Sequence, residues 1–318
     1  MIPNERQLLQ EGKLEDDGDL IKPIGTIRAD FPAPILTIPG FSSSILTEGS
    51  VSILAGEGGV AKSTLALEIT TMVSHQDEGM MNGPLQHTRT GNVLYLSYED
   101  RVGVLAKRYD DIRNREGKMM PPPKDSQLYA MSTVGRPLYG PVEGGMYYSR
   151  HQRLPGWDML TRCLAQEKNW RLLVIDPALS AFVGNANEAA PVREFMGNLT
   201  MQAEEYRMGI LLIAHTNKDS RRQANGYTDL FRPGQIGGST HWTDAARGVL
   251  NLYRGRQESE RLLVVSKANW GPSHLGCQIR LSNKKGWGFG GFKTGQEGWM
   301  TETVFFGIPG QTNEGYTR

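Results

Sequence analysis

The chain has 318 residues, with 35 Lys and Arg against 34 Asp and Glu for a net charge of +1, and a mean hydropathy of -0.42. That length can bury a full core. No apolar run is long enough to cross a bilayer as a helix, and the balanced charge excludes a protein that coats nucleic acid by bulk positive charge alone. A ring that threads a strand needs positive charge only along its channel, so composition leaves the partner open. The two cysteines, Cys163 and Cys277, stand far apart and in no metal-ligand spacing. They read as plain thiols of a reducing compartment, the cytoplasm.

In chain order, the start MIPNERQLLQEGKLEDDGDL is polar and acidic, unlike a secretory signal or a transit peptide. Residues 1–48 read as an arm, with an acidic cluster at Glu15, Asp16, Asp17 and Asp19 and too few apolar residues for a core. Within it FPAPILTIPGF (31–41) is more apolar and suited to packing on the body or on a neighbouring subunit. From Gly49 strands and helices alternate, the mark of a mostly parallel sheet covered by helices. Ser50–Ala55 is a strand. Lys62–His75 has helical spacing, with Leu65, Ile69 and Met72 or Val73 on one face. Asn92–Ser97 is a second strand and Arg101–Glu116 a charged helix. Residues 117–156, rich in Pro and Gly, read as a long irregular excursion. Trp157–Lys168 and Val192–Tyr206 are predicted helices; Leu172–Ile175 and Ile210–Ala214 are buried strands. Gly248–Tyr253 and Leu262–Ser266 resume the strand pattern. The expected organisation is therefore an arm over 1–48, an α/β domain over 49–282, and a C-terminal hairpin and tail over 283–318.

Gly56-Glu57-Gly58-Gly59-Val60-Ala61-Lys62-Ser63, followed by Thr64, lies between a predicted strand and a predicted helix. It matches the phosphate-loop template G-x-x-x-x-G-K-[ST] except that Ala61 stands where the second glycine belongs. Glycines let backbone N–H groups curl around a phosphate chain, and a helix N-terminus adds unpaired donors. The pattern predicts an ATP site in which Lys62 reaches the β- and γ-phosphates and the Ser63 hydroxyl holds Mg²⁺. Ala61 is read as already helical and therefore harmless; a left-handed backbone there would cost about 1–2 kcal/mol. The alternative is a Gly-rich turn without a ligand.

Phosphoryl transfer also needs a metal ligand and a positioned water. Leu172-Leu173-Val174-Ile175-Asp176 is an apolar strand ending in an acid, which suits Asp176 to the Mg²⁺ shell. Glu99, at the end of Leu94-Tyr95-Leu96-Ser97-Tyr98-Glu99-Asp100, is the candidate for orienting the attacking water, and Asp100 suits the cap of the next helix. His215, ending Ile210–Ala214, is a candidate γ-phosphate sensor, with a structural hydrogen-bonding role as the alternative.

With these residues in place, residues 31 to about 280 resemble the RepA-type plasmid replicative helicases, hexameric RecA-like P-loop ATPases. The likeness rests on Gly56–Ser63, Leu96–Asp100, Leu173–Asp176, Ile213–His215, Gly238-Ser239-Thr240 with Asp244–Arg247, and Ser266-Lys267-Ala268-Asn269-Trp270-Gly271. It implies a homo-oligomeric ring with nucleotide between subunits. Arg247 then falls on the position of a finger reaching the neighbour's γ-phosphate, and Lys267 is a second trans-acting cation. Interface salt bridging is the alternative for both, and Arg254 and Arg256 are spare fingers. The resemblance also implies loops contacting single-stranded DNA over 181–191 and 217–237, the second carrying Lys218, Arg221, Arg222 and Arg232. A RecA-like ATPase acting as an assembly switch without unwinding is the main rival. A ParA-like partition ATPase is disfavoured, because Glu57 stands where that group has an extra lysine.

Overall fold

The computed structural model of the protein describes residues 31–37, 44–75, 85–114, 127–142, 150–216, 236, 239–255, 258, 260–271, 275–282 and 288–289. The chain divides into a short unit ending at Pro32 and a body beginning at Ala33. The body opens with β1 (Pro34–Thr37) and β2 (Ser44–Thr47), then β3 (Ser50–Gly56) and α1 (Lys62–Ser74). Next come β4 (Gln86–His87), β5 (Asn92–Ser97), α2 (Val102–Arg113), β6 (Leu128–Ser132), β7 (Tyr139–Pro141), β8 (His151–Arg153) and α3 (Pro155–Gln166). After β9 (Trp170–Asp176), the short α4 (Ala178–Ala181) and α5 (Ala189–Glu205) lead to β10 (Gly209–His215). The described chain closes with α6 (His241–Ala245), β11 (Gly248–Arg254), β12 (Glu260–Ala268), β13 (Leu275–Ser282) and β14 (Gly288–Phe289).

The main sheet has the order β14-β13-β12-β11-β3-β10-β9-β5-β6. From β6 across to β11 every neighbouring pair is parallel, and β12, β13 and β14 extend the sheet by antiparallel pairing. A smaller sheet runs β2-β1-β4. This is the doubly covered, mostly parallel sheet expected from the alternating pattern, in which ligands bind outside the carboxyl ends of the strands.

Two apolar layers hold it together, and strand parity assigns residues to them. Leu54, Val93, Tyr95, Leu172, Val174, Leu211 and Ile213 face the layer that contains α1 and α2. Val51, Ile53, Leu94, Leu96, Leu173, Ile175, Ile210 and Leu212 face the layer built on α3, α5 and α6. Each fully buried Leu, Ile or Val adds about 1.5–3 kcal/mol relative to exposure. The same parity places Asp176 and His215 on the α1 side, in step with Val174 and Ile213.

Several expectations change. Residues 117–156 are not one irregular excursion: β6 pairs in parallel with β5, from Val93 opposite Leu128 to Ser97 opposite Ser132, and β7 pairs antiparallel with β8. Every residue of β6 is half-buried, so the edge strand has neither an alternating nor a continuous apolar pattern to read. Within residues 1–48, Ile35 and Leu36 of β1 pack on the body as the apolar stretch 31–41 suggested, and Ile45 and Leu46 of β2 are buried beside them. α1 is buried on more than its predicted apolar face, with Thr70 and Thr71 donating back to the Leu67 carbonyl at 2.7 and 2.8 Å. Apart from β14, the expected hairpin and tail over 283–318 lie outside the described residues.

Candidate nucleotide site

The loop after β3 is shaped at three positions. At Gly56 a Cβ would stand 2.5 Å from the Leu252 carbonyl oxygen, so only glycine lets β11 pass this close. Gly59 has φ +72°. Ala61, with φ 72° and ψ 34°, is left-handed rather than helical. The reading of Ala61 as harmless is corrected: its backbone conformation is one glycine would adopt freely, and alanine costs about 1–2 kcal/mol there. The cost is invisible to a template because the template gives the residue type and not the angle.

α1 begins at Lys62 with no side-chain cap and no acid in its first turn, so its first N–H groups remain suited to an anion. Lys62 is buried, and its Nζ donates to the carbonyls of Gly56 at 2.9 Å and Glu57 at 2.8 Å. Nζ also lies 3.2 Å from His215 Nδ1. Burial lowers the Lys62 pKa to about 8, against the pull of Asp176, Glu99 and Glu57. Burial and the Lys62 charge likewise lower the pKa of His215, which favours the neutral ring with Nδ1 as acceptor. The backbone N–H of Thr216 donates to the Gly56 carbonyl at 3.2 Å, so the β10 end is tied to the start of the loop.

Lys62, Ser63, Thr64, Gly59, Ala61, Glu99, Asp100, Arg108, Asp176 and His215 line one cavity of about 430 Å³, ordinary for a small-molecule site. The candidates from four strand ends therefore meet in one place. Asp176 is buried, and Tyr95 Oη donates to its Oδ2 at 2.5 Å. Burial, followed by the Asp176 charge, holds the Tyr95 phenol protonated with its pKa well above the usual value. Tyr95 escaped the sequence reading, although its parity with Val93 on the α1 side was the available signal. The Tyr98 N–H donates to the Asp176 carbonyl at 2.8 Å, joining the Glu99 turn to β9.

Asp100 does not cap α2. Arg101 is the cap residue, without a side-chain bond. Asp100 instead receives Arg108 Nη1 at 2.6 Å, while its N–H donates to Ser97 Oγ at 2.9 Å. A basic residue eight positions on can reach back across two helical turns, which an alternation pattern does not reveal.

The donor set fits Mg²⁺. The Ser63 hydroxyl and the Asp176 carboxylate are hard oxygen ligands in the same cavity, and Tyr95 occupies Oδ2 while leaving Oδ1 available. Among the described residues no cluster of three or more His, Cys, Asp or Glu forms a cage.

Arg247 and Lys267 come together elsewhere. The Arg247 N–H donates to the Val51 carbonyl at 2.8 Å, at the far end of β3 from Gly56. Five residue steps of strand separate them, roughly 17 Å at about 3.3 Å per residue. With its carboxamide nitrogen turned toward the Arg247 carbonyl, Asn269 donates to it at 3.2 Å and accepts from Nη1 at 3.1 Å. Lys267 Nζ donates to the carbonyls of Thr243 at 3.0 Å and Asp244 at 2.8 Å, at the end of α6; burial lowers its pKa. Arg254, by contrast, sits at its own phosphate loop, with Nη2 at 3.5 and 3.4 Å from the carbonyls of Gly58 and Gly59. Buried Arg261, also missed, donates from Nε to the Val60 carbonyl at 3.0 Å. Arg256, Asn217, Lys218, Arg221, Arg222 and Arg232 lie outside the described residues. Within 181–191, Asn185 accepts from the Asn187 N–H at 3.0 Å, and Trp242 donates to the Ala186 carbonyl at 3.3 Å.

The fold and this loop are those of a RecA-like P-loop NTPase. Residues 23–221 match the AAA domain family, well over half of the chain, and the chain belongs to that family. Among solved structures it is similar to the ATPase domain of G40P, at 12% identity and a TM-score of 0.50 over 76% of this chain and 85% of that one. It is also similar to the RadB recombinase, at 16% identity and a TM-score of 0.45 over 76% and 90%. No curated protein matches the chain. Among the described residues no helix is long and apolar enough to cross a membrane.

Proposed function

We propose that the chain is an ATP-hydrolysing motor, one subunit of a ring-forming DNA helicase of the RepA type that moves on single-stranded DNA. The observation that carries this reading is a division of charge. Lys62, Glu99, Asp176 and His215 meet around one cavity, whereas Arg247 and Lys267 lie at the opposite end of the central strands. Cations that far from their own cavity are suited to a neighbour's, as hydrolysis between ring subunits requires.

In this mechanism the loop amides and Lys62 hold the triphosphate. Ser63 and Asp176 would hold a Mg²⁺ ion, which would supply charge neutralisation to the triphosphate. Glu99 orients a water and accepts its proton as the oxygen bonds to the γ-phosphorus. The bond from that phosphorus to the bridging oxygen breaks, and its electrons leave with ADP. Arg247 of the adjacent copy stabilises the charge in transit, and His215 senses the loss of the γ-phosphate through Lys62. The segment carrying Lys218, Arg221, Arg222 and Arg232 is the proposed DNA contact.

The test combines Glu99→Gln with a tailed duplex. Wild type is expected to unwind the duplex with ATP, while Glu99→Gln binds ATP but turns it over at least about a hundredfold more slowly. Hydrolysis without unwinding would favour the assembly-switch reading, and normal turnover by Glu99→Gln would remove that residue from the mechanism.

A further inference from the structure

Three consecutive carbonyls of the phosphate loop face the paired ends of β11 and β12. Arg254 reaches those of Gly58 and Gly59, and Arg261 reaches that of Val60. These two arginines are direct cross-strand partners, an arrangement that like charges ordinarily disfavour. We propose that the β11–β12 hairpin is a clamp, with Arg261 and Arg254 as positioning residues that hold the loop in its phosphate-binding form. The proposal rests on the nucleotide site described above.

The argument follows from peptide geometry. In a trans peptide the C=O and the next N–H point to opposite sides. Drawing the carbonyls of Gly58, Gly59 and Val60 outward therefore turns the N–H groups of Gly59, Val60 and Ala61 the other way. Successive N–H groups so aligned make an anion-binding concavity. A glycine at position 61 would hold the left-handed angle without help. Alanine does not, and a strained backbone persists only where its surroundings over-determine it.

The two arginines differ in how firmly they act. Arg261 is buried, and its Nη1 also donates to the Glu258 carbonyl at 2.6 Å, so its guanidinium is fixed at two points. Arg254 is exposed and its bonds are long. Arg261 is the anchor and Arg254 the adjustable partner. Because Arg254 acts on the loop of its own subunit, it is not the spare finger for a neighbour that the sequence suggested.

The experiment is equilibrium binding of a non-hydrolysable ATP analogue to the full chain. The variants are Arg261→Gln and Arg254→Ala, each alone and combined with Ala61→Gly, with Lys62→Ala as control. Arg261→Gln is expected to weaken binding about tenfold, the scale of one lost charged hydrogen bond. Arg254→Ala is expected to weaken it about threefold, since its contacts are long. Ala61→Gly is expected to restore most of either loss, because glycine takes the left-handed angle unaided. A purely structural arginine would lower thermal stability without this background-dependent affinity. Equal losses in both backgrounds, or no loss, overturn the clamp. If Arg261→Gln does not fold, exposed Arg254→Ala carries the test. Should Lys62→Ala bind like wild type, the nucleotide site itself fails; should it alone lose binding, only the clamp fails.

Discussion

Lys62 brings its ammonium into a buried position where carbonyls of its own loop receive it. That burial sets a pH dependence. With a pKa of about 8 in the free protein, the amine loses its proton as pH rises through that value. A bound triphosphate favours the ammonium and raises the pKa, so binding takes up a proton above pH 8. ATP affinity is therefore expected to be level below pH 7 and to fall above pH 8 by up to about tenfold per pH unit. Lys62→Arg, which stays charged throughout, should flatten the profile; titrations of ATP binding at pH 6.5, 8 and 9.5 on both proteins check this. At this scale the sequence was informative where chemistry fixes the residue type. Gly56, Lys62, Glu99, Asp176 and His215 could be picked out because strand ends and a loop template demand them. Tyr95, Arg108 and Arg261 could not, since a tyrosine in a strand or an arginine on a helix or strand has many ordinary uses. Ala61 was visible and misread, because its cost lies in a dihedral angle.

At the scale of elements, α6 is only one turn long yet ties Lys267 to the stretch that follows β9. Its carbonyls at Thr243 and Asp244 hold Lys267, and its Trp242 is fully buried. The indole meets Phe182 and Phe195 edge-on at 5.4 and 6.0 Å and donates to the Ala186 carbonyl, in the stretch that follows β9. So short a helix has no stability of its own and is held by this packing. Trp242→Ala is expected to cost about 3–5 kcal/mol of unfolding free energy, read as a lower urea midpoint. A change below about 1 kcal/mol would mean that the cluster is not what holds α6. Strands buried on both faces announced themselves as continuous apolar runs, which is why β5, β9 and β10 were placed within two residues. β6 did not, because an edge strand half-buried along its length carries no periodic signature, and α6 is too short for helical spacing to register.

At the scale of the whole molecule, one sheet carries charged groups at both of its ends, a mixed set at one and cations at the other. The phosphate-loop end holds Lys62, Asp176 and His215; the other holds Arg247 and, on the adjoining strand, Lys267. β11 and β12 run between them, touching their own loop through Arg254 and Arg261 and offering Arg247 and Lys267 at the far end. This polarity gives the proposed ring its logic, since head-to-tail contacts repeat one interface around a closed circle. The decisive measurement mixes two variants that are each inactive alone, Lys62→Ala and Arg247→Ala, and follows ATP hydrolysis. Where an Arg247→Ala loop faces the intact Arg247 of a Lys62→Ala neighbour, a complete site forms, so the mixture is expected to regain a substantial fraction of wild-type turnover. A mixture as inactive as its components would contradict a site completed by the adjacent copy.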